Sequence, residues 1–263
     1  MTSIRETANK SLIYARDTYA YWQLTDDATP LAVRTGPLRL YPLDIRPRLA
    51  SGHFNRFDAA GLPIRRSRQG WIHNYTTLSA FALAHWDNYL LTGRASHLEK
   101  LLAVADYMLA TADRRESGFV RLRAERPNAG HVGELSAMFQ GESMSVLCRA
   151  WQATGQERYL NGAMGLFGVF ELPVERDGVL GYISRIGAPW YEENVALPLR
   201  HILNGMVYAL WGLRDLFLVC EDRRAGRLFE DGGVALSQHC GITTVGSGAG
   251  IGWLRAVPRI LSP

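Results

Sequence analysis

The most chemically suggestive residues of the chain are two adjacent carboxylates in an aromatic setting, Trp190-Tyr191-Glu192-Glu193. Two neighbouring carboxylates in a partly buried site do not both ionise cheaply, so one is expected to hold its proton longer and to suit proton transfer. The same run also reads as a helix start, with an aromatic staple and a solvated acidic first turn. Two amides recur in similar surroundings. Gln140 lies in Ala137-Met138-Phe139-Gln140-Gly141-Glu142, and Asn204 in His201-Ile202-Leu203-Asn204-Gly205. Each is followed by a glycine that permits close backbone approach. Such amides can bind sugar hydroxyls or satisfy open backbone groups at helix starts. In Tyr41-Pro42-Leu43-Asp44-Ile45-Arg46-Pro47-Arg48 two guanidinium forks stand on a proline-stiffened segment. Arg46 and Arg48 therefore suit a ligand that carries carboxylates, while an Arg–Asp pair with Asp44 is an equally good structural account. His53, His73, His85 and His131 lack the spacing of a metal-ligand set, so no metal site is expected.

The elements that must position these residues follow from periodicity. Leu78, Phe81, Ala82, His85, Trp86 and Tyr89 recur at helical spacing up to a break at Thr92-Gly93, and a second helix follows on Leu98, Leu101, Leu102, Ala105, Met108 and Leu109. Met144, Leu147, Cys148 and Trp151 form the next stripe, broken at Thr154-Gly155 and answered by Leu160, Ala163, Phe167 and Phe170. A third pair runs through Leu203, Met206, Val207, Leu210 and Leu213, breaks near Cys220-Glu221-Asp222 and resumes at Leu228-Phe229. Helical hairpins recurring roughly every 62–66 positions must stack to cover their apolar faces. Long aromatic, Pro- and Gly-rich connections separate them (39–64, 117–133 and 178–198). The expected architecture is all-α: an incomplete (α/α) toroid whose connections line a cleft. A helix bundle is the simpler alternative. Short β-ribbons are expected at 118–123 and 178–182.

Composition narrows the function classes. In 263 residues, 29 Lys+Arg face 25 Asp+Glu, a net charge of +4 that favours anions mildly. No basic stripe interleaves with aromatics, so nucleic acid is not an expected partner. No run of 18 apolar residues occurs, so no membrane span is expected. Cys148, Cys220 and Cys240 show no zinc or disulfide spacing, which fits a reducing compartment, and the N-terminus lacks an apolar signal core. A cytoplasmic location is the expectation. A homo-oligomer is compatible with all of this.

Taken together the motifs resemble the C-terminal region of the D-glucuronyl C5-epimerases. The matching pieces, in the family's order, are YPLDIRPRL and GHFNRFDAAGLPI (41–49 and 52–64), NYTTLSAFALAHWDNYLLTG (74–93), SAMFQGESMSVLCRAWQATGQERYL (136–160), WYEE (190–193) and HILNGMVYALWGLRDLF (201–217). The resemblance implies conversion of D-glucuronate to L-iduronate residues in heparan-type or related polysaccharides, by proton removal at C5 and return from the opposite face. It implies no organic redox cofactor. The catalytic candidates are Glu193, on which the motif's second Glu falls, with Glu192 and Tyr191. The substrate-binding candidates are Arg46, Arg48, Asn74 (which opens the segment 74–93), Gln140 and Asn204. A uronate-containing polysaccharide or oligosaccharide is the implied partner.

Two departures bear on activity. The motif's closing Tyr is Asn194, which cannot shuttle a proton. After Gln238-His239 the family continues with a segment like R-Y-D-x-G-F-W-S-x-Y, whereas this chain reads CGITTVGSGAGIGW over 240–253. Read from the third base of the Cys240 codon, possible codons of this stretch spell R-H-Y-D-C-G-F-W-S-W-Y-W, the signature of a frameshift. The chain is thus expected to comprise an N-terminal helix and linker (1–37), an epimerase-like domain (38–240) and an atypical Gly-rich tail (241–263) that is poorly ordered. Family members often carry an N-terminal β-rich domain, which is expected here to be absent or reduced to a helix and linker, since about 35 residues precede the matching region. Weak or absent epimerase activity is expected. The competing readings are an α/α-toroid hydrolase or lyase on uronate glycans, and a non-catalytic carbohydrate-binding or scaffold protein.

Overall fold

The computed structural model of the chain describes residues 36–67, 70–115, 120–123 and 135–239. The expected N-terminal helix, His131, Cys240 and the tail 241–263 lie outside these residues. The chain divides into two compact units at Val104/Ala105.

In the first unit a short helix α1 (Pro47–Ala50) and a β-hairpin, β1 (Arg65–Ser67) with β2 (Gly70–Ile72), precede α2 (Tyr75–Thr92) and the start of α3 (Ala95–Thr111). Helix α2 is apolar on nearly every side and buries Leu78, Phe81, Leu83, Trp86 and Leu90, the composition of a core helix. Its ends are written in the sequence. Asn74 caps the start, its Oδ1 accepting from the Thr77 N–H at 3.0 Å, and Gly93 closes it at φ 67°, a left-handed cap that costs glycine little. The extended segment bearing Tyr41, Leu43 and Ile45, all buried, is pinned to α2 by two bonds. The Tyr41 N–H donates to Asp87 Oδ1 (2.8 Å) and Trp86 Nε1–H to the Arg39 carbonyl (3.0 Å).

The second unit begins within α3 and holds the ribbon β3 (Asp113–Arg114) with β4 (Val120–Arg121), then α4 (Ala137–Thr154), α5 (Glu157–Phe167), the hairpin β5 (Leu180–Ile183) with β6 (Ala188–Tyr191), α6 (Leu203–Cys220) and α7 (Arg223–His239). The periodic stripes predicted these helices, and the ribbons fall at or beside the predicted places. The segment 137–142 forms the first turns of α4. Helices α4 and α6 cross in backbone contact. A Cβ on Gly212 would lie 2.3 Å from the Gly141 carbonyl oxygen, and one on Gly141 would lie 2.5 Å from that of Tyr208. Across the same seam Arg149 Nη1 meets Asp215 Oδ2 at 2.5 Å, both side chains 1% exposed. Helix α6 is long and apolar enough to cross a membrane, yet 61% of it is buried inside the protein, as befits a core helix.

Candidate functional site

The β5/β6 hairpin delivers the aromatic-carboxylate run to the start of α6. Its register sets Gly181 opposite Trp190 and Leu180 opposite Tyr191. Pairing continues one residue past the strand: the Glu192 N–H donates to the Val179 carbonyl (2.8 Å), and the Glu192 carbonyl accepts from the Ala137 N–H (2.9 Å). Glu192 is thereby stitched between the hairpin and the first residue of α4, and its side chain is fully buried. A charge so placed must be paired or neutralised. His201 supplies the partner: its Nδ1–H donates to Glu192 Oε1 (2.6 Å) and its backbone N–H to Oε2 (3.2 Å). Burial pushes the Glu192 carboxyl above its usual range, and His201 opposes that push. Gly181 gives the carboxylate room, since a Cβ there would stand 3.0 Å from Glu192 Oε1.

Two turns bring His201 back to Glu192. Asn194 Oδ1 accepts from the Ala196 N–H (2.9 Å) in a local side-chain turn, and His201 itself sits at φ 50°, a left-handed conformation that costs a non-glycine residue about 1–3 kcal/mol. The imidazole keeps 21% of its side chain exposed. Its ring meets Trp190 edge-on with centroids 5.8 Å apart, and His239 of α7 approaches the same indole at 5.0 Å. The buried Trp190 Nε1–H has no hydrogen-bond partner among the described residues.

Glu193 faces the first turn of α6. Its Cβ would lie 2.3 Å from a Cβ on Gly205, so only glycine admits it. Burial raises the Glu193 carboxyl, while the Asn204 carboxamide and the Gly205 N–H favour its charged form. Its buried Oε2 has no hydrogen-bond partner among the described residues. Tyr191 turns inward: its hydroxyl donates to the Leu228 carbonyl (2.7 Å), its ring meets Phe170 edge-on, and burial drives its phenol far up. Beside this junction a groove of about 380 Å³ opens between the hairpin and α7, lined by Tyr182, Pro189, Leu228, Asp231, Val234 and Gln238 among others.

Of the residues picked out from the sequence, Tyr191, Glu192, Glu193 and Asn204 thus meet at one place. The others are engaged elsewhere. Gln140 is buried within α4 and clamps one backbone unit, accepting from the Leu122 N–H (3.0 Å) and donating to the Leu122 carbonyl (2.7 Å). Arg46, Arg48 and Asn74 belong to the first unit, where Arg46 grips Asp44 through two bonds of 2.7 Å and Asn74 caps α2. Arg48 lies in α1. His201 and His239 were not singled out by sequence. The available signal was a histidine nine residues beyond Glu192, across a segment rich in turn formers. Among the described residues no group of three or more His, Cys, Asp or Glu could hold a metal ion.

Comparisons with known proteins bear on the fold and the family. The family pattern for the D-glucuronyl C5-epimerase C-terminus matches residues 117–248. The D-glucuronyl C5-epimerase of Caenorhabditis elegans is 36% identical over 126 residues, 47% of this chain and 20% of that protein. An uncharacterised protein of Methanocaldococcus jannaschii is 32% identical over 119 residues, 43% of this chain and 39% of its own length. The chain thus spans well under half the length of these two relatives. Among solved structures, the GH76 α-mannanase of Bacteroides thetaiotaomicron superposes with a TM-score of 0.53 at 14% identity, covering 72% of this chain and 52% of the mannanase. That likeness speaks for the fold alone: an incomplete α/α toroid.

Proposed function

The chain belongs to the D-glucuronyl C5-epimerase family through its C-terminal region, and from that premise we propose that it acts on D-glucuronate residues of a polysaccharide, exchanging the C5 proton and inverting that carbon. The observation that carries this reading is the carboxylate pair at the end of β6. Glu192 and Glu193 are both shifted upward by burial, and they stand against different elements. The C5–H of a uronate lies next to its carboxylate and is a weak carbon acid. Its removal needs a positioned base, and its return needs an acid on the other face of the ring. Glu193, with an unpartnered Oε2 and amide donors from Asn204 and Gly205 at hand, suits the base. The polymer carries the negative charge that a chain of net charge +4 favours. The cytoplasm is the compartment that the cysteine usage favours.

The rate is proposed to be low. Asn194 replaces the tyrosine of the motif, and its side chain is spent on the Ala196 turn. The family match runs to residue 248, and the Gly-rich sequence that begins at Cys240, which lacks the Tyr- and Trp-bearing segment of the resemblance, we attribute to a frameshift. Resequencing the locus tests that, and codons unable to spell the family-like string would sink it. The engagement of Tyr191 with Leu228 favours one second reading, a carbohydrate-binding protein without turnover. Incubation with a glucuronate polymer in heavy water separates the readings. Slow deuterium incorporation at C5 with intact chains is expected. Chain cleavage would favour a hydrolase or lyase, binding alone the non-catalytic protein, and exchange as fast as in an intact epimerase would refute the impairment.

A further inference from the structure

An epimerisation needs two proton-transfer groups, and Asn194 takes away the one that the motif would place beside Glu193. The structure puts another titratable group at the same junction. The His201 ring is held at Nδ1 by a fully buried carboxylate at 2.6 Å. Its orientation is therefore set, and with Nδ1 engaged Nε2 is the nitrogen left to exchange protons, on a side chain that is 21% exposed. A carboxylate behind an imidazole, holding its orientation, is how many active sites prepare a histidine. The backbone at φ 50° is strained for histidine, and strain of this kind gathers at functional sites. The groups facing the ring come from every neighbouring element: Trp190 and Glu192 from the hairpin, and His239, 6.5 Å away between centroids, from α7. Glu193 meets the start of α6 instead, at Gly205.

We propose that His201 is the second proton-transfer residue of this site and Glu192 its positioning residue. The inference rests on the epimerase reading above. In one direction the C5–H bond breaks, its proton passes to the Glu193 carboxylate, and the electron pair is delocalised into the substrate carboxylate. A new C5–H bond then forms from the opposite face with the proton of His201 Nε2–H. Solvent removes the proton from Glu193 and returns one to His201, so no co-reactant is consumed. The reverse direction exchanges the two roles.

The test uses the full chain and a glucuronate oligosaccharide. His201→Asn is the informative variant, because asparagine tolerates a left-handed backbone and its amide N–H can still reach Glu192. Deuterium incorporation at C5 is expected to fall about 100-fold or more, with the affinity for the oligosaccharide changed less than about threefold. In spectra of ¹⁵N-histidine-labelled protein, the Nε2 resonance of His201 is expected to shift when the oligosaccharide is added. Glu192→Gln is expected to move the pH profile of exchange, which a merely structural glutamate would leave in place. Exchange in His201→Asn within about threefold of the parent overturns the inference, as does an Nε2 resonance that the oligosaccharide does not move. Should His201→Asn fail to fold, as its melting curve would reveal, an unmoved pH profile in Glu192→Gln overturns it. A parent chain that binds the oligosaccharide but never exchanges C5 overturns the epimerase reading, and this inference with it.

Discussion

Two buried acid–base pairs in the second unit make opposite use of charge. Arg149 and Asp215 meet across the α4–α6 seam, both 1% exposed, and Arg149 Nη1 donates also to the Ser145 carbonyl at 3.0 Å. Glu192 and His201 meet at 2.6 Å with the carboxylate fully buried but the imidazole 21% exposed. Both side chains of the first pair are sealed from solvent, with Arg214 reaching Asp215 Oδ1 at 3.7 Å from a partly exposed position. Its Coulombic attraction does little beyond offsetting the desolvation of two charges, and what it gains is register between two helices. The second is sealed at one end only, so the buried carboxylate orients a ring whose other nitrogen can still exchange protons. Burial of a charge alone therefore says nothing about function. Whether one partner keeps an outlet does.

The comparison breaks most visibly at the sealed end. Asp215→Ala takes away the carboxylate that the buried Arg149 guanidinium meets in the seam, and about 3–5 kcal/mol of unfolding free energy is expected to go, read from urea denaturation. Arg149→Met with Asp215→Leu should recover most of that, because an apolar pair of similar volume asks for no desolvation. A double variant no more stable than Asp215→Ala would show that the pair does more than fill the seam.

Next in size is the backbone contact that brings the sealed pair together. Gly212→Ala drives a methyl group to 2.3 Å from the Gly141 carbonyl oxygen. Backbone cannot swing aside as a side chain can, so a loss of about 2–3 kcal/mol is expected. Gly233→Ala on α7, where a Cβ meets nothing within 4 Å, is the matched control and should be neutral or slightly stabilising through helix propensity. Equal melting temperatures for the two variants would refute the close crossing.

Gln140 tests a third case, a buried polar group with no charge. Gln140→Ala strands both the N–H and the carbonyl of Leu122, which is itself fully buried, and about 2 kcal/mol is expected to go. Affinity for a glucuronate oligosaccharide, measured by titration calorimetry on the folded fraction, should not change. A selective loss of affinity would return the residue to the sugar-binding set.

These cases mark how far the sequence could be read. The stripes on α2, α4 and α6 and the Thr-Gly breaks after two of them disclosed the hairpins, because helical periodicity and a left-handed glycine cap are local physics. The third break needed no glycine: Glu221 takes φ 55°. The polar residues at the helix starts were also visible, as was the fact that an amide there could serve either a ligand or the backbone. Which of the two it serves depends on what the fold lays beside it. Leu122 reaches Gln140 through the β3–β4 ribbon, and nothing near position 140 announces that. Likewise Asp44 lies two residues from Arg46 and was a visible partner, whereas His201 reaches Glu192 only because the chain between them turns back at Asn194 and then takes a left-handed step.

The smallest effect concerns the open pair and is read as a slope against pH. Burial raises the Glu192 carboxyl above its ordinary 4.5, against the opposing influence of His201. A raised carboxyl binds its proton more tightly in the folded chain than in the unfolded one. Folding stability is then lost as pH climbs through the window above about 4.5. Glu193 is raised for the same first reason, burial, and contributes with the same sign. Glu192→Gln keeps an acceptor for the His201 N–H and cannot titrate, so it should lose less stability than the parent as pH climbs above about 4.5. The Glu192→Gln, Glu193→Gln double variant should flatten the slope further. Melting curves across that range check both. A slope unchanged by either substitution would mean that neither carboxyl is held protonated by its surroundings.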